Sequence, residues 1–385
     1  MTDLPDGWDL KSLSSLVTLL SGFAYKSSDW KESGVPVLKI TNVRNGLVRL
    51  EGCSYISKER ATESKQFAVH NNDLLITMTG EIGATGFYRE EFEARLNQRV
   101  GKLVVKEGEP LNLKYLAYFF ESPETRQEMW KLAKGIAQAN ISPKEILNLG
   151  IPLPPLPEQH KIVEILEDHL SRLDAALADV KQAKVKAAQF RRSFIHDMTS
   201  SIAGSEVMGI LDICDVYQPK TISTKELISD GEFPVYGANG QIGFYDKYNH
   251  EESEVTVTCR GATCGTVNVI PPMSWITGNA MVFKPKDNRI QKGFLEYVLR
   301  GMDWTPVITG TAQPQITRTS IQDLFIDVPN PQIQHEIYMK LESALTRVLN
   351  ASRLCENVES QVASLRRSLL QAAFTGQLTK EVASV

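Results

Sequence analysis

Hydrophobic and polar positions along the chain change period four times. Over residues 1–134, short apolar runs rich in β-branched residues (35–43, 73–78 and 100–105) alternate with turns at Asn45-Gly46, Asn71-Asn72-Asp73 and Thr79-Gly80. That alternation predicts strands in a mixed α/β region. A helical period follows over 113–134, with Leu116, Phe119 and Phe120 on one face and Met129 and Leu132 continuing it. Ser142, Pro143 and Glu145 stand as N-cap, N1 and N3 of a capping box opening a short helix with Ile146 and Leu149. The prolines of residues 151–157 end it, since they fit neither a helix interior nor a central strand.

From about 158 to 200 there is one uninterrupted helical pattern without Gly or Pro. Val163, Leu166, Leu170, Leu173, Leu177 and Val180 are spaced 3-4-3-4-3, the seam of a coiled coil. The apolar phase then slips by three residues to Ala183, Ala187, Phe190 and Phe194. Such an insertion predicts local overwinding. At 1.5 Å per residue the helix would be roughly 65 Å long. Gly204 closes this half. Residues 206–309 again read as α/β, with strands at 233–236, 254–259, 266–270 and 280–284 and a helix at 293–299. A second long helix carries Leu341, Leu345, Val348, Ser352 and Cys355, slips to Val358, Val362, Leu365 and Leu369, and is closed by Gly376 as a C-cap.

The two long helices belong to a repeat. Residues 135–195 lie over 310–370 without a gap, and 20 of these 61 positions are identical. Composition alone would give about four, so the duplication constrains the architecture before any single motif does. Pro154 meets Pro329, Gln159-His160 meets Gln334-His335, and Arg191-Arg192-Ser193 meets Arg366-Arg367-Ser368; Thr317 takes the place of the Ser142 cap. The order is domain, helix, domain, helix. The expected boundaries are 1–155 and 204–330 for the two α/β (α+β) domains, and 156–203 and 331–379 for two long helices that pack against each other as a coiled coil or each on its own domain.

Composition narrows the class. A chain of 385 residues, 42% hydrophobic and 23% charged, is long enough for two globular cores. No apolar run approaches the roughly 18 residues of a membrane span, and the first residues lack a secretory pattern. Five cysteines, an odd number, suit free thiols in a reducing cytoplasm. The net charge of −4 gives no global attraction for nucleic acid, so a DNA site must come from local clustering.

Catalytic groupings are scarce. Cys259 and Cys264 have no second ligand pair for a metal. His160 and His335 sit at helix starts beside Gln without a triad's neighbours, and read as packing or capping residues. Glu63-Ser64-Lys65 has the Glu-x-Lys of metal nucleases but no matching Pro-Asp, and no phosphate-binding glycine motif is present. The chain is therefore expected to be non-catalytic, with no cofactor and no metal of its own. Two glycine-rich loops do follow strands at comparable places, residues 79–86 and 259–265, the second preceded by residues 236–241. Glycines let backbone approach another surface. Arg260 suits guanine, and Asn239 or Gln241 suits adenine.

Residues 151–159, running into a long helix, and the closing residues 365–378 resemble the specificity subunits of Type I restriction–modification enzymes. The resemblance covers nearly the whole chain. It implies two target-recognition domains that each read half of an interrupted double-stranded DNA site, and two helices that separate them, pair as an antiparallel coiled coil and bind two methyltransferase subunits, with restriction subunits joining the complex. S-adenosylmethionine, ATP and Mg would then belong to those partners. At 329–333 the second copy departs from the Leu-Pro-Glu-Gln form, which would alter one partner contact. The alternative is a coiled-coil scaffold with two protein-binding domains. If the two domains read different half-sites, shared positions serve fold, partner or phosphate, and differing positions serve specificity. On that logic the DNA-facing candidates are Arg44, Thr79, Arg99, Asn239, Gln241 and Arg260, with Gln138 and Gln313 from the shared set. The partner-facing candidates are Gln159, His160, Arg191, Arg192, Gln334, His335, Arg366 and Arg367. The loop alignment pairs Thr79 with Arg260 across a one-residue gap.

Overall fold

The computed structural model describes residues 4–44, 46–135, 139–310 and 313–380. The turn residue Asn45 and the candidate Gln138 lie outside them. The described residues form two compact units. Unit 1 holds those of Met1–Asp179 and Val358–Val385, and unit 2 those of Val180–Asn357. Each unit thus contains one α/β domain, part of the first long helix, Leu156–Thr199, and part of the second, Pro331–Phe374.

In unit 1, a six-stranded sheet runs in the order Val17–Ser21, Val100–Val105, Leu74–Thr77, Thr85–Phe87, Gly46–Val48, Val43–Arg44. A second, four-stranded sheet contains Val35–Leu38 and Ala94–Leu96 running parallel. The expected strand at 35–43 stops at Leu38 because Asn42 accepts the Lys39 N–H at 2.9 Å and gives its amide to the Arg49 carbonyl, folding the chain into a turn. The expected helix at 113–134 is two helices, Leu113–Glu121 and Pro123–Leu132. Pro123 cannot continue a helix interior but is favoured at a first position, and Ser122 caps the new start, accepting the Thr125 N–H.

Unit 2 repeats the frame. Cys214–Tyr217, Ala280–Pro285, Glu254–Thr258 and Val267–Ile270 take the order of the first four strands of the large sheet of unit 1. Asp9–Ser12 pairs antiparallel with Gly150–Leu153 in unit 1, and Glu206–Gly209 with Phe325–Val328 in unit 2. The repetition of structure is therefore longer than the 61 positions repeated in sequence. Pro152 is tolerated in its strand because a two-stranded sheet leaves both strands at an edge.

Local signals are realised to different degrees in the two copies. Ser142 accepts the Glu145 N–H at 3.2 Å and Glu145 accepts the Ser142 N–H at 2.8 Å; these bonds hold the Glu145 carboxyl below its usual range. Thr317 and Ser320 exchange the same two bonds, yet only turns follow. Pro331 opens the second long helix, and Asn330 accepts the N–H groups of Gln332 and Ile333. The altered 329–333 segment thus preserves a capped start.

The expected slip in the heptads is absent. Ala183 and Phe190 are exposed, Phe190 by 51%, while the half-buried positions run on through Leu173, Leu177, Val180, Lys184, Ala187 and Phe194, with Arg191 occupying the intervening step. The second helix likewise continues from Cys355 through Glu359 to Val362, Arg366, Leu369 and Ala373; Val358 is half-buried beside Glu359, but Leu365 is 53% exposed. Charged residues stand on the stripe at Lys184 and Glu359, so counting apolar residues alone jumped to the neighbouring row. An unbroken 3-4 spacing needs no overwinding. Within unit 1 the two helices run in opposite directions, since Asp174 meets Arg366 while Glu158, near the start of the first, meets Thr379, beyond the end of the second. Leu166, Leu170, Leu370 and Phe374 are buried there with Tyr115 and Phe119. Each such fully buried side chain contributes about 1.5–3 kcal/mol.

Candidate nucleic-acid interface

The two glycine loops are held by the same backbone network. In unit 1, Thr77 donates to Ala84, Gly83 to Thr77, Met78 to Arg99, Gly80 to Ala139 and Ile141 to Met78, at 2.9–3.3 Å; Lys134 and Asn140 exchange both bonds. In unit 2, Thr258 donates to Thr266, Gly265 to Thr258, Cys259 to Asn279, Gly261 to Pro314 and Ile316 to Cys259, at 2.8–3.0 Å; Thr309 and Gln315 exchange both bonds. Thr79 and Arg260 therefore occupy one position of a shared frame, and the loop of unit 2 is one residue longer. Its end glycines have positive φ in both units, 75° and 76° for Gly80 and Gly83, 88° and 90° for Gly261 and Gly265. A side chain there would be strained in the left-handed region. At Gly265 it would also lie 2.9 Å from Cβ of Trp304.

Shared backbone carries different side chains. Thr79 is 5% exposed and donates its hydroxyl to Asn140 Oδ1 at 2.7 Å, which spends it inside unit 1. The expectation that Thr79 faces DNA is corrected on that ground: a buried hydroxyl with a satisfied bond offers nothing to a base edge. Arg99 is exposed beside it, with Nη1 3.4 Å from the same Asn140 oxygen. Arg44 is exposed on the outermost strand of the six-stranded sheet and makes no side-chain hydrogen bond to this loop among the described residues.

Unit 2 gathers more of its candidates. Arg260 is exposed and makes no side-chain hydrogen bond or ion pair among the described residues. It shares a surface hollow with Tyr217, Gln218, Gln315 and Arg318. Asn239, at the tip of the hairpin Phe233–Gly237/Gly240–Tyr245, accepts the Thr263 hydroxyl, and Thr258 donates to the Ala238 carbonyl, so hairpin and loop are tied together. Gln241 is exposed on that hairpin and Gln313 on the turn two residues before Gln315. Sequence reasoning missed Tyr217, Gln218 and Arg318, which reach the hollow from a different strand and turn and share no motif with the loop. Burial pushes the Cys259 thiol at the loop base up, which keeps it protonated. Among the described residues no group of His, Cys, Asp or Glu side chains is placed to hold a metal, and no helix is long and apolar enough to cross a membrane.

The partner candidates separate into two kinds. Gln159 and Gln334 are 0% exposed. Gln159 accepts the Asn112 N–H at 2.9 Å and donates to the Pro110 and Pro154 carbonyls at 2.8 and 2.9 Å. Gln334 accepts the Gln291 N–H at 2.8 Å and donates to the Arg289 and Pro329 carbonyls, both at 2.7 Å. Both are internal latches between a long helix and the start of a domain helix, so the expectation that they face a partner is corrected. His160, His335, Arg191, Arg192 and Arg367 are exposed. Arg366 is half-buried, 2.9 Å from Asp174 and 3.7 Å from Glu121. Burial pushes the Glu121 carboxyl up, and the guanidinium groups of Arg366 and Arg126 pull it back.

Known proteins share this arrangement. Residues 5–185 and 203–356 match the family model of the Type I restriction modification DNA specificity domain. The StySPI Type I restriction enzyme specificity subunit of Salmonella potsdam is 22% identical over 429 residues, spanning 98% of this chain and 90% of its own. The MjaVIII specificity subunit of Methanocaldococcus jannaschii is 31% identical over 170 residues, 43% of this chain and 40% of its own. Among solved structures, a chain of a type I restriction–modification system superposes with a TM-score of 0.80 at 16% identity, covering 98% of this chain and all of the other. The HsdS subunit of Thermoanaerobacter tengcongensis gives 0.60 at 16% identity, covering 98% of each; likenesses at this identity concern the fold alone. With the family model matched in both halves, the chain belongs to the Type I restriction–modification DNA specificity family.

Proposed function

We propose that each unit reads one half of an interrupted double-stranded DNA site. The carrying observation is the duplicated loop frame, in which the same backbone bonds hold a buried Thr79 in one unit and an exposed Arg260 in the other. Frame and reader are thereby separated: the frame positions, and the side chains it presents carry base discrimination. The chain is a DNA sequence-recognition subunit and is not itself an enzyme, as its family's specificity subunits are named. Methyl transfer belongs to partner subunits: two methyltransferase subunits bind it and restriction subunits join them, in the cytoplasm, and S-adenosylmethionine, ATP and Mg are used there. We keep 1–155 and 204–330 as the recognition domains and assign the exposed His160, His335 and Arg367 to the partner surface. Arg99, Asn239, Gln241 and Arg260 face DNA, with Arg44 and Gln313 at the margin.

Methylome sequencing of cells expressing this chain with its methyltransferase tests the reading: a single bipartite methylated motif is expected, and a one-part motif or none would overturn it. Arg260→Ala should relax discrimination at one position of one half-site by about 1–3 kcal/mol, the worth of a bidentate arginine–guanine pair; binding to single-base variants of the motif measures it. The long helices separate the readers as an antiparallel coiled coil whose length sets the unread spacer. Because the stripe is unbroken, deleting seven residues from each helix should preserve the seam and shorten each by about 10 Å. The methylated motif should then keep both halves and lose about three base pairs of spacer, at 3.4 Å per step.

A further inference from the structure

The shared frame creates the same groove twice. In unit 1 it lies between the second long helix, at Ala363, Arg366, Arg367 and Leu370, and the strand start at Ala84-Thr85. In unit 2 the matching positions of the first long helix, Ala188, Arg191, Arg192 and Ile195, face Thr266-Val267. The third wall is a domain helix, and there the two copies reverse charge. Counted from the latched N–H groups of Asn112 and Gln291, Glu121 and Arg300 hold the same place.

Unit 1 neutralises its groove. Glu121 and Asp174 flank Arg366, and Glu81 adds a further carboxylate opposite Arg126 and Arg367. Unit 2 has Leu349 where unit 1 has Asp174, and its groove is walled by Arg191, Arg192 and Arg300 with no carboxylate lining it. Three carboxylates lie close by. Glu296 binds Nε of Arg300 at 2.8 Å, leaving the other two guanidinium nitrogens, and lines an adjoining hollow of Arg191 and Arg300 with Glu342, which accepts the Tyr297 hydroxyl. Asp303 accepts the Thr305 N–H and feels the charge of Arg192. Arg191 makes no side-chain hydrogen bond or ion pair among the described residues, and both Arg191 and Arg192 are exposed. Complementing the helix dipole does not account for them, since that effect fades within the last turn and the helix runs on to Thr199. Thr266, exposed at the groove's edge, follows directly on the loop that begins at Arg260.

We propose that the Arg191, Arg192 and Arg300 groove of unit 2 grips a phosphate of the DNA backbone, and that its counterpart in unit 1 does not. This rests on the DNA-reading function proposed above. Three arginines lining one hollow that no carboxylate lines match an anion with two free oxygens, which arginine binds through paired N–H donors. A phosphate beside the loop would fix the register of the second domain on its half-site without selecting a base.

The test uses the complex assembled with its methyltransferase and a duplex carrying the methylated motif. Arg191→Ala and Arg192→Ala should each weaken binding equally for every sequence variant of the motif. Each should also lower the slope of log affinity against log salt by about 0.9 where the contact is to one phosphate of B-DNA. Arg191→Lys should retain the slope, Arg300→Glu should lower it at least as far as Arg192→Ala, and Lys186→Ala, exposed on the same helix outside the groove, should leave it alone. Thermal melting of each variant checks that folding is intact. Unchanged affinity and slope in folded Arg191→Ala and Arg192→Ala would overturn the proposal. So would loss of the methyltransferase from the complex with DNA contacts intact, which would make the groove a seat for an acidic protein surface. A changed base preference would make it a reader instead. If the unaltered complex shows no selectivity for the motif, the functional reading itself falls; if it does and the variants match it, only this proposal falls.

Discussion

Replacing residues 1–155 with the corresponding domain of another family member is expected to change one half of the methylated motif completely and leave the other half as it was. Sequencing the methylome of cells carrying the hybrid with its methyltransferase reads both halves at once. A change in both halves, or in neither, would refute one domain for one half-site. The physical ground is the separation of the cores: the buried clusters around Leu16, Ile76 and Phe120 and around Leu38 and Leu96 belong to unit 1, while those around Ile213, Phe283 and Leu295 and around Ile276 belong to unit 2. The joint matters. Ile141, Ile146, Leu149, Ile151 and Leu153 are buried in the unit 1 core, Asp9–Ser12 pairs with Gly150–Leu153, and the Tyr115 hydroxyl donates to the Pro152 carbonyl at 2.7 Å. A cut at 134, where the sequence repeat begins, would press these residues against a foreign core and cost several side chains' worth of packing. A cut at 155 keeps them with their partners.

The second large effect is expected at the buried glutamines. Gln159→Glu, or Gln334→Glu, should lower the stability of its unit by about 3–6 kcal/mol, because each unsatisfied buried group costs about 1–3 kcal/mol and a charged one more. A carboxylate can still accept the Asn112 or Gln291 N–H, but it can no longer donate to the two carbonyls. Glutamate should therefore be worse than alanine at both sites, although it fills the space better. For units of this size the loss corresponds to a fall in melting temperature of roughly 10 °C, measurable by calorimetry on the full chain. A glutamate variant as stable as the parent would mean that the latch is not what holds helix to domain. One that melts near alanine, with binding of the methyltransferase alone impaired, would restore these residues to the partner surface.

What could be read in the sequence was whatever depends on local pattern. The capping box at Ser142, the strands at 100–105 and 280–284 and the long helices follow from spacing that any window of a dozen residues contains. Features that depend on distant backbone were out of reach. Thr79 looks like an exposed loop residue, and only the pairing of its strand end with Asn140, sixty-one residues on, turns it inward. The extra length of the structural repeat was hidden because the frame repeats through N–H and carbonyl groups, which every residue has. Seam positions need not be apolar. Lys184 and Glu359 carry long aliphatic stems that can cover a seam, so the row passes through them. Conversely, the pairing of Thr79 with Arg260 could be drawn from the sequence because glycines with positive φ mark both loop ends, and these resist substitution for a steric reason.

The two buried glutamines make no hydrogen bond to a side chain of the domains they hold. Every bond they make goes to backbone, and the residues contacted differ freely between the copies, Pro110 and Asn112 in one, Arg289 and Gln291 in the other. Such a joint is blind to what the attached domain has become. A lineage can therefore accept a reader with an unrelated surface in a single recombination event without a compensating change at Gln159 or Gln334, provided the new domain keeps the apolar face that meets Leu166, Leu170, Leu370 and Phe374. Novelty in what is recognised and continuity in how the parts are assembled are inherited separately.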